Sequence, residues 1–248
     1  MDYAEQVRHN VDVVGARIAE AAARAGRDPA GVTLVAISKT FPPSAVLAGY
    51  RAGLRHFGEN RPEEGAEKVP QVNALVDGLR PTWHMVGHVQ SRKADLTVAH
   101  FDVVHSVDRL KVARRLSHFA AEAGRELPVL LECNVSGEQG KYGFPVDRWQ
   151  ADPAQREAFF AACAEILALP ALQVSGVMTV APWVDDAAVV RATFAGLRAL
   201  RDALRERFPA QPWPALSMGM TDDFEIAVEE GATMVRIGRA LFGPRPTV

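Results

Sequence analysis

Eight short apolar runs alternate with stretches of helical periodicity in this chain, and this alternation constrains its fold more than any other feature. The runs lie at residues 32–38, 55–59, 82–87, 103–107, 128–135, 172–179, 215–219 and 234–238. Each has the length of a strand, and the apolar, β-branched character of most of them is typical of burial in a sheet. Strands that alternate with helices form parallel sheets, and eight of them predict an α/β fold of the (β/α)8 TIM-barrel class.

An additional amino-terminal helix is predicted ahead of the first run. Its apolar positions recur at spacings of three and four residues, and Gly26 followed by Pro29 ends the pattern. These apolar positions are Val7, Val11, Val14 and Ile18.

Later helices are predicted between the runs, for example at 108–123 and 185–208, where apolar residues again share one face. Asp222 followed by Glu225 predicts a capping box at the start of the helix that precedes Gly231.

The alternative fold is a doubly wound open sheet. Such a sheet normally has fewer strands, and one that binds a dinucleotide carries a GxGxxG turn after its first strand. No such turn follows Lys39. The sequence also shows no low-complexity tract, linker or internal repeat, so we predict a single domain over residues 1–248.

The composition is that of an ordinary globular protein, with 48% hydrophobic and 23% charged residues. A formal net charge of −2 offers no basic surface for nucleic acid and no polybasic patch for a membrane. No exposed apolar surface can be recognised in the sequence, so we expect a monomer.

Signals for secretion or membrane insertion are not expected. The chain is charged from residue 2 onward, and its most apolar long stretch, 159–178, is interrupted by Glu165 and Pro170. The two cysteines, Cys133 and Cys163, form no CxxC pair and are typical of small core residues. This usage favours a reduced, cytoplasmic setting.

Lys39 stands at the end of the first apolar run, where a barrel enzyme keeps its working residues. A strand-end lysine can simply extend its ammonium into water. The functional alternative is a poorly hydrated amine that attacks a carbonyl and forms a Schiff base.

The ends of the last two runs suit a phosphate group. Ser217 offers a hydroxyl, and Gly219 and Gly238 allow backbone N–H groups to approach an anion closely. We predict the main anion site at the turn formed by Gly238 and Arg239, although the same glycines also suit ordinary turns.

Strand parity places Arg236 on the same face of its run as Gly238, and Lys39 on the same face of the first run as Val35. The first and last strands of a closed barrel are neighbours, so both side chains can point into the upper barrel. A buried arginine needs a partner, which is either a barrel carboxylate such as Glu132 or a ligand atom.

A Schiff-base lysine, a phosphate cup and an arginine donor together describe a site for pyridoxal 5′-phosphate (PLP). Arg236 would hydrogen-bond the pyridine nitrogen, and because arginine keeps its proton, that nitrogen would stay unprotonated. The ring would then be a weak electron sink, which favours storage of the cofactor over demanding chemistry.

Two other motifs are weaker. His84 and His88 have the spacing of a helical metal pair, but on a strand they lie about 13 Å apart. Lys141 and Tyr142 lie in a predicted loop, where the lysine is expected to be solvated.

Six segments resemble those of the pyridoxal phosphate homeostasis proteins, and the resemblance spans nearly the whole chain. They are Val35-Ala-Ile-Ser-Lys39-Thr40, Phe57-Gly-Glu-Asn60, Trp83-His-Met-Val-Gly-His88-Val-Gln-Ser91, His105-Ser-Val-Asp108-Arg-Leu110, Leu216-Ser-Met-Gly-Met-Thr221-Asp-Asp-Phe224 and Met234-Val-Arg-Ile-Gly238-Arg-Ala-Leu-Phe-Gly243. The resemblance implies the barrel of fold-type III PLP proteins, as in the amino-terminal domain of alanine racemase. It also implies a protein that binds PLP and delivers it to apoenzymes, without a known reaction of its own.

By this resemblance Lys39 carries PLP as an aldimine and Arg236 faces the pyridine nitrogen. The phosphate is then held by Ser217, Gly238 and Arg239, and Asn60, Met218 and Gly219 are further candidate cofactor contacts.

Two other functions stay open at this point. A PLP-dependent racemase needs an acid or base on each face of its substrate; Lys39 supplies one, and Tyr142 is the candidate for the other. A Schiff-base aldolase without cofactor would use Lys39 on a phosphorylated aldehyde, but it leaves Arg236 without a clear task.

Overall fold

Eight parallel strands close into a barrel in the computed structural model, which describes residues 2–244. They are β1 (Thr33–Ile37), β2 (His56–Glu59), β3 (Thr82–Met85), β4 (Val103–Val107), β5 (Leu127–Asn134), β7 (Leu172–Met178), β8 (Ala215–Ser217) and β9 (Met234–Ile237). Hydrogen bonds join them in the order β4-β3-β2-β1-β9-β8-β7-β5, and β4 pairs with β5 to complete the ring. Every predicted run therefore forms one barrel strand, and the (β/α)8 prediction is confirmed.

Helices follow the strands and cover the outside of the barrel. They are α2 (Pro43–Arg51), α3 (Pro62–Asn73), α4 (Ala94–His100), α5 (Leu110–Glu122), α6 (Pro153–Leu167), α7 (Ala187–Arg207), α8 (Phe224–Glu229) and α9 (Arg239–Phe242). None of the helices within 2–244 is long and apolar enough to cross a membrane.

The additional amino-terminal helix, α1 (Tyr3–Arg24), is also confirmed. Asp2 caps it, since its carboxylate accepts from the Glu5 N–H while the Glu5 side chain accepts from the Asp2 N–H. The buried face of α1 packs against α2, α8 and α9, and therefore lies beside the seam between β1 and β9.

The fold differs from the sequence prediction in two details. A two-residue strand, β6 (Phe144–Pro145), pairs with the end of β5 outside the barrel and is too short to leave a periodic pattern. The predicted capping box at Asp222 is wrong. Helix α8 starts one residue later, after Asp223, and the Asp222 carboxylate binds Arg239 instead.

Apolar packing divides into a large layer between barrel and helices and a small cluster inside the barrel. The outer layer includes Cys133 and Cys163, which are both buried as predicted. The inner cluster is built on Leu130, Met178 and Ala215. The remaining inward positions of the barrel are largely polar, and they form the candidate site.

Candidate functional site

Lys39 lies two residues beyond β1, half-buried at the carboxyl end of the barrel. The next residue, Thr40, has φ of 67°, in the left-handed region that β-branched residues rarely adopt. Gly238 lies against this strand end, where an added Cβ would be 3.1 Å from the Ile37 carbonyl oxygen. The structure thus brings Lys39 close in the fold to the predicted anion turn.

Arg236 points into the barrel and is only 5% exposed. Its register partner on β1 is Val35, as the predicted neighbourhood of the first and last strands requires. Its guanidinium donates to the Ser217 hydroxyl at 2.7 Å and to the Thr179 carbonyl at 2.8 Å. No carboxylate among residues 2–244 forms an ion pair with it, so the predicted alternative of a pair with Glu132 is wrong.

The charge of this arginine is therefore poorly compensated. Burial lowers the pKa of Arg236 to about 10, against the more distant attraction of Asp223 and Glu132. The guanidinium still keeps its proton at neutral pH, and its two described hydrogen bonds use only part of its five N–H donors. An acceptor atom in the barrel mouth would satisfy the remaining N–H donors of the guanidinium.

A chain of side-chain hydrogen bonds leads from Arg236 across the barrel interior. Ser217 Oγ lies 2.9 Å from His105 Nδ1, His105 Nε2 lies 2.8 Å from His84 Nδ1, and His84 Nε2 lies 3.0 Å from His56 Nδ1. Because arginine can only donate, Ser217 Oγ accepts a hydrogen bond from Arg236, and the Ser217 hydroxyl can donate to His105 Nδ1. His105 Nε2–H can then donate to His84 Nδ1, and His84 Nε2–H can donate to His56 Nδ1. Every side chain of the chain therefore has a hydrogen-bond partner.

The three imidazoles are neutral at physiological pH. Burial lowers the pKa of His84 to about 3, that of His105 well below the ordinary value, and that of His56 in the same direction. Sequence reasoning missed this chain and treated His84 only as a metal candidate. The signal was available: each of these histidines has the parity of an inward position on its strand.

Ser217 and Met218, both predicted to contact the cofactor, occupy different environments. The Ser217 hydroxyl is fully buried between Arg236 and His105. Met218 has the opposite parity and its fully buried side chain packs in the outer hydrophobic layer. The geometry gives Met218 a packing role.

Gly219 is required for close packing of the loop after β8. Its φ is 94°, and an added Cβ would lie 2.5 Å from the Ala227 Cβ on α8. Its carbonyl accepts the Arg236 N–H at 2.9 Å, which ties this loop to β9. Thr221 in the same loop is half-buried, and within the part of the chain that the structure describes its hydroxyl makes no hydrogen bond. It was not among the predicted site residues.

The predicted anion turn begins the short helix α9. Gly238 is its N-cap and supplies no side chain, so the first N–H groups of the helix have no capping partner. The Arg239 side chain turns away and binds Asp222 at 2.7 and 2.8 Å. Any contribution of Arg239 to an anion would therefore come from its backbone N–H.

Two cavities open at the rim of the barrel. One, of about 410 Å³, is lined by Asn60 together with His88 and Lys93. The other, of about 230 Å³, is lined by Glu132 and by the loop that carries Lys141 and Tyr142.

An aromatic contact joins two residues that line these cavities, one from each. The Tyr142 ring stacks on the His88 ring with centroids 3.8 Å apart, and His88 Nδ1 lies 3.1 Å from an Asp108 oxygen. Lys141 pairs with Glu138 and donates to the Val180 carbonyl. No cluster of metal-ligating side chains occurs within residues 2–244.

Glu132 is an inward carboxyl at the floor of the smaller cavity. Its Oε2 is buried and has no hydrogen-bond partner in the structure. Burial raises the pKa of Glu132 to about 7, aided by Asp108 and opposed by Arg236. An unpartnered carboxyl oxygen and an under-used guanidinium together leave room for a polar ligand in the barrel mouth.

These features fit PLP. A lysine lies at one strand end, a buried guanidinium with spare donors lies on the neighbouring strand, and the uncapped start of α9 adjoins both. The three groups match an aldehyde, a pyridine nitrogen and a phosphate respectively.

Comparison with known proteins agrees with this fit. The profile of the alanine racemase N-terminal domain matches residues 5–246. The pyridoxal phosphate homeostasis protein of Pseudomonas aeruginosa is 45% identical over 240 residues, which cover 96% of each chain. PipY of Synechococcus elongatus, solved with PLP bound, is 38% identical with a TM-score of 0.76, over 91% of this chain and 100% of PipY.

A more remote likeness shows the fold alone. Alanine racemase from Corynebacterium glutamicum superposes with a TM-score of 0.69 at 17% identity, over 98% of this chain and 61% of the racemase. On the near-full-length matches, the chain belongs to the pyridoxal phosphate homeostasis protein family, within the group that shares the alanine racemase N-terminal domain.

Proposed function

We propose that this protein binds PLP as a Schiff base on Lys39 and acts in the homeostasis and delivery of PLP, without catalytic turnover of its own. The observation that carries the proposal is the buried, unpaired Arg236 on the strand beside β1. When bound, PLP supplies an aldehyde for an amine and a ring nitrogen for a donor. Family membership and the PLP-bound PipY structure support the choice of cofactor.

Each residue has one task in this proposal. Arg236 donates to the pyridine nitrogen, and the backbone N–H groups at Gly238 and Arg239 bind the phosphate with help from the Gly219 loop. Thr221 adds a hydroxyl to that loop, and Asn60 borders the mouth. Ser217, whose hydroxyl is engaged by Arg236, holds the guanidinium in place.

The groups that face the mouth support the proposed absence of turnover. Racemisation needs a second acid or base opposite Lys39. Tyr142 lies at the rim, 56% exposed and stacked on His88, so it would have to leave that contact to serve. The proposed partners are accordingly apoenzymes that accept PLP from an open, cytoplasmic carrier, and the carrier is proposed to be a monomer.

Borohydride trapping tests the proposal. The protein is loaded with PLP, reduced, digested and mapped by mass spectrometry across its five lysines. A pyridoxyl group on Lys39 is expected, and Lys39→Ala should abolish it while the protein retains its fold. Lys111→Ala, on the exposed face of α5, is the matched control. A main adduct on another lysine would refute the assignment.

Turnover and delivery are tested separately. Holo-protein should restore activity to a PLP-depleted enzyme in the presence of a trap for free PLP. Conversion of L-alanine to D-alanine that both Lys39→Ala and Tyr142→Phe abolish would make the protein a racemase instead.

A further inference from the structure

A buried lysine, Lys68, lies behind the strand end that carries the half-buried Lys39. Lys68 is on α3, is 5% exposed, and belongs to none of the contacts proposed above. Its ammonium donates to Glu59 Oε1 at 2.7 Å, to Glu64 Oε1 at 2.8 Å and to the Ser38 carbonyl at 2.8 Å. Its three N–H donors are therefore all used.

This cluster holds both peptide groups that flank Lys39. The Ser38 carbonyl, which precedes Lys39, accepts from Lys68. The Thr40 N–H, which follows Lys39, donates to Glu64 Oε1 at 2.5 Å. The Ser38 hydroxyl adds a third tie, since it donates to Glu59 Oε1 at 2.7 Å.

The backbone conformation shows that these ties constrain the chain. Thr40 adopts a φ of 67°, a strained conformation for a β-branched residue, which persists only where the surroundings over-determine it. The Glu64 contact to its N–H is such a determinant. The direction in which the chain leaves β1 at Lys39 is therefore fixed from both sides.

Burial of these charged groups carries a desolvation cost in free energy. Glu59 is fully buried, and its Oε2 has no hydrogen-bond partner. Buried ion pairs often stabilise a fold no better than apolar side chains of the same volume. A role in geometry accounts for the charges better than a role in stability.

We propose that Lys68, with Glu59 and Glu64, is a positioning cluster that holds the two peptide groups around Lys39 and so sets where the Lys39 amine points. The inference rests on the proposed function for its purpose, because a carbonyl ligand needs that amine at a fixed place.

The test measures the chemical reactivity of the Lys39 amine in the PLP-free protein. Competitive labelling with acetic anhydride across pH, read by mass spectrometry, gives the relative reactivity of each lysine. Lys68→Met should change the reactivity of Lys39 at pH 8 at least threefold and shift its pH profile, while Lys111 keeps its profile. Lys68→Arg, which retains a buried cation and its donors, should restore most of the wild-type profile. Lys111→Met is the matched control substitution.

Glu64→Gln provides a second variant in case Lys68→Met does not fold. The amide oxygen can still accept from Thr40, so a wild-type Lys39 profile is expected, whereas Glu64→Leu should reproduce the change seen with Lys68→Met. PLP affinity should fall about tenfold in the two disrupted variants.

Unchanged Lys39 profiles in folded Lys68→Met and Glu64→Leu proteins would overturn the inference and leave the cluster a structural one. Because labelling needs no cofactor, this outcome is distinct from a wild-type protein that fails to bind PLP, which would refute the proposed function alone.

Discussion

Two buried cations lie near the same barrel mouth, and their surroundings are opposite. Lys68 contacts two carboxylates and a carbonyl. Arg236 contacts a hydroxyl and a carbonyl, and the carboxyl groups nearest to it, Glu132 and Asp223, act only from a distance. The first charge is neutralised within the protein. The second has no carboxylate partner among the described residues, which is why we propose that Lys68 belongs to the scaffold and that Arg236 contacts the ligand.

The largest expected effect that separates the two sites is on the stability of the PLP-free protein. Lys68→Met leaves two carboxylates without their partner and should cost about 3–5 kcal/mol. Arg236→Met relieves the desolvation of an unpaired cation, which offsets the lost bonds to Ser217 and Thr179, so we expect a change below about 1 kcal/mol. Urea unfolding of both variants at pH 7.5 measures the difference. Equal losses would show that Arg236 is compensated as fully as Lys68.

The sequence predicted the barrel and the strand that carries Arg236, but not this contrast. Strand parity placed Arg236 on an inward face, because alternation is a local property of each strand. The sequence predicts a phosphate contact for Ser217 and does not predict its hydrogen bond with Arg236. That hydrogen bond depends on how β8 and β9 pair, and pairing register is not written in either strand alone.

The same limit explains the histidine chain. His56, His84 and His105 each lie at an inward position of one strand, but only the staggered pairing of β2, β3 and β4 brings their rings to hydrogen-bond distance. Lys68 was missed for a related reason. It is a lone charged residue in an amphipathic helix, and nothing local shows that α3 turns it toward Glu59.

An effect of intermediate size is expected on the pH dependence of stability. It comes from Glu132, one of the two carboxyl groups nearest to Arg236. The pKa of Glu132 is raised from the ordinary value near 4.5 to about 7, mainly by burial. A raised pKa contributes stability that is fully present below about pH 4.5 and is lost as pH rises through 7. Glu132→Gln should therefore stabilise the PLP-free protein by about 1–3 kcal/mol at pH 8 and have little effect at pH 4.5.

The measurement has to compare variant and wild type at each pH. His84 and His105 have lowered pKa values, so their contribution is present above about pH 6.5 and is lost as pH falls, opposite to that of Glu132. The difference between the two unfolding curves removes the histidine contribution. A pH-independent difference would mean that Glu132 stays ionised and pairs electrostatically with Arg236, which would weaken the contrast with Lys68.

The smallest effect is expected from Ser217→Ala, and it decides between the two roles considered for this residue. The sequence suggested a phosphate contact, which would lower PLP affinity and leave the visible spectrum unchanged, because the phosphate lies outside the conjugated system. The hydrogen bond from Arg236 to Ser217 instead predicts a changed spectrum together with a loss of about 1 kcal/mol in affinity, since the donor to the ring nitrogen loses its support.

Thr221→Val is the matched control for Ser217→Ala, because it removes a hydroxyl from the loop proposed to hold the phosphate and should weaken binding without altering the spectrum. Absorption spectra and PLP dissociation of the two variants measure this directly. A Ser217→Ala protein with weakened binding and an unaltered spectrum would return Ser217 to the phosphate. It would also mean that the uncharged groups around Arg236 leave its charge uncompensated but do not set the direction in which its guanidinium points.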